Sequence, residues 1–460
     1  VIKLNSDSNT QVSFDDFVNL ELKHFSNYDN CRSIPSVMDG LKPSQRKVLW
    51  SCFKKNLKNE IKVSQLAGYI SEVSEYHHGE ASLLGCIIGM AQDFVGTNNI
   101  NLLCPAGQFG SRIQGGKDSA SARYIFTNLE EIAFKLFNKL DEDLLTKKYE
   151  DNSEIEPEYY VPLLPMVLVN GAKGVGTGYS TEVLQYNPVD IISNIRKLIK
   201  GKELDEISPY YKGFKGEIVE ESKNKYISYG IVKQLKKNVL EVSELPVGCW
   251  RNDYDTFLDK MCLDKKINSY EGYSDDVDIK YHINLNEDIK LTEDNMDEIM
   301  TKFKLKKPLN ATNMVLYDKD NKLKKYDSVN DIIVEFYYMR LEYYVRRRTN
   351  LLDKYNYERL ILENKIRFLT EVIGKKLIIS NKPDEELYKE LGDKDYYKKD
   401  DKYDYLLDMS MRSMTLKKIN DLKEQLEKLL NKLEELNNKT ERDLYKDDLK
   451  DFEKEYKKNE

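Results

Sequence analysis

The chain has 460 residues, 40% hydrophobic and 33% charged, with a formal net charge of −7. That length fits about two to four domains, and the apolar share is enough to bury real cores. The acidic balance excludes a uniformly basic nucleic-acid binder, so charge has to be followed locally.

No apolar run approaches the roughly 18 residues of a membrane-crossing helix and no signal peptide is read, so no membrane partner is expected. The chain opens on Val1 rather than Met, which reads as a piece of a longer polypeptide. The cysteines at 31, 52, 86, 104, 249 and 262 form no C-x-x-C pair. The histidines are not spaced with them as zinc ligands, so unpaired thiols in a reducing compartment and no metal site are expected.

Three regions follow in order. In the first, residues 1–150, "SFDDFVNLELKHF" (13–25) opens with a serine cap and an amphipathic run, the start of a helix. "KPSQRKVLWSCFKKN" (42–56) places proline in a first helical turn. "KVSQLAGYISEVSEY" (62–76) puts Leu66, Ile70 and Val73 on one face. The last two resemble a helix-turn-helix pair.

The second region, 151–328, begins with a buried strand pattern leading into the glycine loop "GAKGVGTG" (171–178). Alternating runs follow: "GEIVEE", "YISYGIV", "VLEVSELP" and the hairpin "MVLYDKDNKLKKY", the signature of a mainly β subdomain. The D-x-D of Asp318 and Asp320 reads as a hairpin turn.

The third region, 329–460, is mostly long helix. Ile419, Leu422, Leu426, Leu429, Leu433 and Leu436 step by threes and fours, a coiled-coil seam. A matching series runs through Leu352, Tyr355, Arg359, Leu362, Ile366, Leu369 and Ile373. The two arms, each of forty-odd residues and about 65 Å at helical rise, are expected to fold back as an antiparallel pair around the Lys/Asp/Tyr-rich segment 380–408. No repeat of 20–50 residues is found.

From Arg32 to Lys62 there are eight Lys or Arg against two acids, Asp39 and Glu60. A solvated helix face explains such an excess equally well, but its place on the helix-turn-helix-like pair favours phosphate contact. His77 and His78 follow the second of these helices.

"GGKDSASARYIFTNL" (115–129) sets small residues ahead of Arg123 and Tyr124. A phenol with a pKa near 10 needs help to act as a nucleophile. Arg123 is permanently charged and is suited to stabilise charge on phosphate oxygens attacked by Tyr124. The dipeptide alone carries little weight in a chain with 32 tyrosines.

Longer stretches decide the matter. "RSIPSVMDGLKPSQRKVLW", "YHHGEASLLGCIIGMAQDFVGTNNINLL", "PAGQFGSRIQGGKDSASARYIFT" and "PMVLVNGAKGVGTGYS" occur in this order. Together with "FKLKKPLNATNMVLYD", "YLLDMSMRSMT" and "ERDLYKDDL", they resemble the breakage–reunion region of eukaryotic-type (type IIA) DNA topoisomerase II. That resemblance implies an α+β multidomain chain. It comprises a winged-helix domain over 1–150 and a mixed α/β tower domain over 151–328. Over 329–460 it implies long antiparallel coiled-coil arms with a small helical gate domain near 372–415.

The resemblance also implies roles. Tyr124 would form a 5′-phosphotyrosine link, Arg123 would support the transition state, and His78 would assist. Arg32, Lys42, Arg46, Lys47, His77, Gln108 and Arg112 would contact DNA. The loop 115–122 would be free to bring backbone close to the duplex. Val175 stands where the family usually has an isoleucine wedge that unstacks a base step. Gly89 stands where a polar residue facing DNA is common.

"GAKGVGTG" lacks both G-x-G-x-x-G and a Gly-Lys-Ser/Thr ending, so no nucleotide site is expected there. The implied partners are double-stranded DNA and a second copy of the chain. The implied cofactors are Mg²⁺ and ATP, held by toprim and ATPase regions of the same parent chain, whose motifs are not found in this sequence. Without the toprim region the chain is expected to bind DNA but cleave poorly. A nuclear location is implied for eukaryotic-type members. The competing reading is a non-catalytic DNA-binding coiled-coil dimer clamp.

Overall fold

A computed structural model describes residues 12–275, 277–287, 291–380, 382–410 and 414–458. These residues fall into two compact units. The first comprises the described residues up to 340 and from 448 on, and the second those between 341 and 447.

In the first unit the helical start is as expected: the Asp16 N–H donates to Ser13 Oγ at 3.1 Å. The helix then continues beyond residue 25, through a wide turn over Phe17–Leu22, into α1 (Lys23–Ser33). Next come α2 (Pro43–Lys55), β1 (Ile61–Lys62), α3 (Val63–Val73) and α4 (Glu80–Ala91). Proline starts α2, and Asn56 closes it in the left-handed conformation (φ 49°). Val48, Leu49, Cys52, Leu66, Ile70, Leu83 and Ile87 from these helices are buried. β1 pairs antiparallel with β2 (Phe126–Thr127), Ile61 opposite Thr127.

Further along, β3 (Ala172–Val175) and β4 (Ser180–Val183) form a hairpin. A three-stranded sheet joins β5 (Glu217–Ser222), β6 (Lys225–Tyr229) and the strand Lys306–Asn310, in the order Lys306–Asn310, β6, β5. A four-stranded antiparallel sheet joins β7 (Ile231–Lys236) and β8 (Val239–Glu244) to the strands Tyr281–Asn284 and Ser269–Gly272. Leu240, Val242, Tyr281 and Ile283 from that sheet pack with Tyr254, Leu258 and Phe303. The alternation of "VLEVSE" fits, since Leu240, Val242 and Glu244 are the buried set. Met314–Tyr317 and Leu323–Tyr326 form the expected hairpin. The Asp318 carboxylate accepts from the N–H groups of Asp320 and Lys322 at 2.8 and 2.9 Å, which makes it a turn residue.

A helix of 45 residues spans Val329–Ile373. In the second unit its later part and the helix Leu416–Asn438 run in opposite directions. Arg348 donates to the carbonyls of Lys439 and Asn437 at 2.9 and 3.3 Å, near one end of the pair. Near the other, Phe368 and Leu369 share a core with Ile419 and Leu422. That core also takes Leu377, Leu391, Tyr396, Tyr403 and Leu406, so segment 380–408 contributes folded structure, including the helix Asp384–Asp393. Residues 411–413 of "YLLDMSMRSMT" lie outside the described residues.

Candidate functional site

Tyr124 is held at the backbone and free at the side chain. Its neighbours Ala122 and Ile125 are buried, and their carbonyls accept from Ser64 and Val63 at 3.1 and 3.0 Å. Both bonds lead to the first residues of α3, and β2 begins immediately after. The phenol between these anchors is 70% exposed. The Arg123 guanidinium sits 5.6 Å from the Tyr124 ring centre, and its Nε is 3.4 Å from Ser121 Oγ. A phenol and a permanent cation therefore share one exposed corner, held through its backbone.

The loop leading to this corner is packed, not free as its small residues predict. A methyl group on Gly115 would overlap the Trp250 indole, and one on Gly116 would overlap the Gln92 amide. Both glycines have positive φ. Gln92 Nε2 donates to the Phe109 carbonyl at 2.9 Å. Ser111 Oγ donates to Asp118 at 2.5 Å. Burial works against the Asp118 charge, but hydrogen bonds from Ser111 and nearby backbone hold its carboxyl below the ordinary range. The small residues allow close packing, and Gln108 at the edge of the loop is exposed.

The basic run divides by burial. Arg32, in the last turn of α1, is exposed. Lys42 precedes α2 and donates to the Lys173 carbonyl at 2.8 Å, tying β3 to that helix; burial lowers its pKa. Lys47 donates to Glu156 at 2.8 Å and to the Ser74 carbonyl. Arg46 is buried. It forks onto Asp39 at 2.7 and 3.1 Å and also reaches the Leu41 carbonyl at 3.1 Å. Burial opposes its charge, yet Asp39 holds the guanidinium above its ordinary pKa. Arg112 is likewise buried, on both oxygens of Glu244. Arg46 and Arg112, expected at the DNA surface, thus present no exposed guanidinium. Arg46 leaves the surface together with Asp39, so fewer cations are exposed over 32–62 while the local excess of positive charge stays the same.

His77 lies 2.9 Å from Glu150, and His78 lies 3.0 Å from the hydroxyl of Tyr28. Burial, then Arg32, the adjacent His77 and Lys47, push the His78 pKa below its ordinary value, so a neutral ring is favoured at pH 7. Arg32, Lys47 and the two histidines therefore share one electrostatic neighbourhood.

Val175 ends β3 and is 75% exposed. Its hairpin rests on α1: Asn30 Nδ2 donates to the Thr177 carbonyl at 3.0 Å, and Thr177 Oγ1 donates to Asp29 at 2.8 Å. An exposed aliphatic side chain therefore stands on a braced tip.

Asp39, Glu244, Trp250 and Tyr28 carry no sequence signal that marks them as partners of these residues. Asp39 is visible there only as an acid inside a basic run. Tyr28 lies 50 positions from His78, beyond the reach of any local pattern. Among the described residues no group of three or more His, Cys, Asp or Glu is placed to hold a metal ion. No described helix is long and apolar enough to cross a membrane.

The DNA gyrase/topoisomerase IV A-subunit family matches residues 32–450. DNA topoisomerase 2 of Candida albicans is 46% identical over 383 residues, covering 82% of this chain and 26% of that protein. DNA topoisomerase 2 of Plasmodium falciparum is 42% identical over 481 residues, covering 96% of this chain and 34% of that protein. The chain thus spans about a third or less of the length of these relatives. A solved Plasmodium falciparum structure, described as the topoisomerase II DNA-binding, cleavage and re-ligation domain, superposes with a TM-score of 0.89 at 42% identity. The match covers 97% of this chain and 65% of that one.

Proposed function

The chain belongs to the DNA gyrase/topoisomerase IV A-subunit family, and we propose that it is the breakage–reunion region of a eukaryotic-type DNA topoisomerase II. The observation that carries this reading is the exposed Arg123–Tyr124 corner, anchored through its backbone on the first residues of α3.

In the proposed reaction the Tyr124 oxygen attacks a backbone phosphorus. The new O–P bond forms as the bond to the 3′ oxygen breaks. The phenol gives up its proton and the departing 3′ oxygen gains one. The product is a 5′-phosphotyrosine and a free 3′ hydroxyl, and the reverse attack reseals the strand without an external energy source. Arg123 stabilises charge on the non-bridging oxygens. Arg32, Lys42, Lys47, His77, His78 and Gln108 are assigned to the duplex near the cut. Arg46 and Arg112 are assigned to a supporting role, holding Asp39 and Glu244 beneath that surface. Val175 is assigned to unstacking a base step.

Mg²⁺ supplies charge stabilisation to strand cleavage in this family. The described residues do not fit a site for it, and its ligands are assigned to a toprim region of the parent chain. ATP use is assigned in the same way to an ATPase region. The finer architecture proposed is a winged-helix domain over 1–150, a tower over 151–328, and coiled-coil arms with a helical gate over 329–460. A duplex break needs two tyrosines, which calls for a homodimer. The similarity to eukaryotic proteins supports a nuclear location.

The test is a covalent-adduct assay on end-labelled duplex DNA with Mg²⁺, with and without a toprim region of the same parent, using Tyr124→Phe as control. An adduct mapped to Tyr124 only when the metal-binding region is present is the expected result. Tight DNA binding with no adduct beside an active partner region would favour the non-catalytic clamp.

A further inference from the structure

Among the described residues, His78 is hydrogen-bonded at one ring nitrogen only. Tyr28 and Arg32 lie four residues apart on α1 and so share a face. The Tyr28 hydroxyl is 3.0 Å from His78 Nε2, with ring centres 6.2 Å apart. Tyr76 meets the imidazole edge-on, centres 5.3 Å apart at 77°. His77 turns to Glu150. No hydrogen bond engages His78 Nδ1 among the described residues. The charged groups facing the ring are Arg32 from α1 and Lys47 from α2, with the titratable His77 beside it. All of these disfavour an added proton, so the neutral imidazole is the form to consider, with one N–H donor and one bare acceptor.

We propose that Tyr28 is a positioning residue for His78: its O–H donates to Nε2, fixing the ring and placing the imidazole proton on Nδ1, where it is presented to a backbone phosphate oxygen. The opposite tautomer would have Nε2–H donate to the Tyr28 oxygen. It would then turn a bare Nδ1 lone pair toward the phosphate, which repels it. The neighbouring nitrogen's hydrogen bond sets the tautomer of a histidine. The phosphate role rests on the function proposed above, whereas the tautomer does not.

The test has two arms. In the first, the 460-residue chain is labelled with ¹⁵N-histidine, and His78 is assigned by the signal lost in His78→Gln. Imidazole nitrogen correlations are then compared between the unsubstituted chain and Tyr28→Phe, which keeps the ring and removes the hydroxyl. Proton on Nδ1 in the unsubstituted chain, and a shift toward Nε2–H in Tyr28→Phe, is the expected result. An Nε2–H tautomer in the unsubstituted chain, or no change in the variant, overturns the proposal. In the second arm, the full-length parent enzyme carrying Tyr28→Phe is assayed for Tyr124 adduct. A fall of roughly 2- to 10-fold is expected for the loss of one hydrogen bond, with DNA affinity measured alongside. An altered tautomer with unchanged adduct overturns the positioning role. If the unsubstituted enzyme forms no Tyr124 adduct, the broader reading fails and takes the phosphate role with it, while the tautomer result still stands on the first arm.

Discussion

The α-carbon of Gly174 faces the Ser33 carbonyl so closely that a methyl group placed there would overlap the oxygen. Gly176, two residues on, meets Asn30 in the same way. The glycines of "GAKGVGTG" thus let a hairpin lie flat on the end of α1, and this contact braces the tip that carries Val175. Gly174→Ala is expected to destabilise the chain by about 1–3 kcal/mol, the usual cost of forcing extra volume into a packed site. Denaturant unfolding measures this. Gly178→Ala meets nothing within 4 Å but has a φ of +77°, so its cost is expected to be smaller and to come from the backbone alone, about 1 kcal/mol. Equal losses for both would remove the hairpin–helix contact from the explanation.

Tyr124→Phe separates chemistry from folding. The side chain is 70% exposed, and the protein holds its place through backbone bonds on either side. Unfolding free energy is expected to change by less than about 0.5 kcal/mol, while the covalent adduct disappears. Arg123→Ala should also leave the fold intact and slow adduct formation by about 10²- to 10³-fold, the scale for losing one charge-stabilising donor. Rapid-quench measurement of adduct formation distinguishes the two variants.

Asp39 carries a larger structural load than its neighbours in the basic run. It accepts from Arg46 Nε and Nη2, from the Leu41 N–H at 3.0 Å and from the Tyr160 N–H at 2.9 Å, with no exposure to solvent. Asp39→Ala leaves a buried guanidinium unpaired and is expected to cost about 3–5 kcal/mol. The double variant Asp39→Ala/Arg46→Met removes the stranded charge and should recover part of that loss. Unfolding curves for the singles and the double give the coupling energy. An additive result would mean that the pair does not act as a unit.

Much of this was legible from the sequence because it is written in local pattern. The strands over "VLEVSELP" and "MVLYDKDNKLKKY" and the helices at 42–56 and 62–76 all formed where periodicity and turn residues put them. Long motifs matched to a family singled out Tyr124 and Arg123, and both side chains are exposed at one corner. What stayed hidden depends on distant partners. Counting Lys and Arg could not reveal that Arg46 folds back on Asp39, or that Arg112 reaches Glu244 from 132 positions away. The glycines at 115 and 116 looked like freedom because the residues that crowd them, Trp250 and Gln92, are remote in sequence or carry no composition signal.

Thiol chemistry tests the packing around α2 and α4 independently of DNA. Burial pushes Cys52 up to about 12, and also Cys86, whose rise to about 12 is only partly opposed by Lys42. Thiolate is the reactive form, so both are expected to resist alkylation at pH 8 in the folded chain. Cys31 is exposed on α1 and should be modified first. Iodoacetamide labelling followed by peptide mass spectrometry gives the order. The sign with pH is definite: raising pH from 8 to 9 speeds attack at an exposed thiol but leaves Cys52 and Cys86 almost wholly protonated. Protection at these two sites should therefore persist until the chain unfolds. Early labelling of Cys52 under native conditions would show that the helical core opens locally at low cost, since Cys52 has no exposed surface in the folded state.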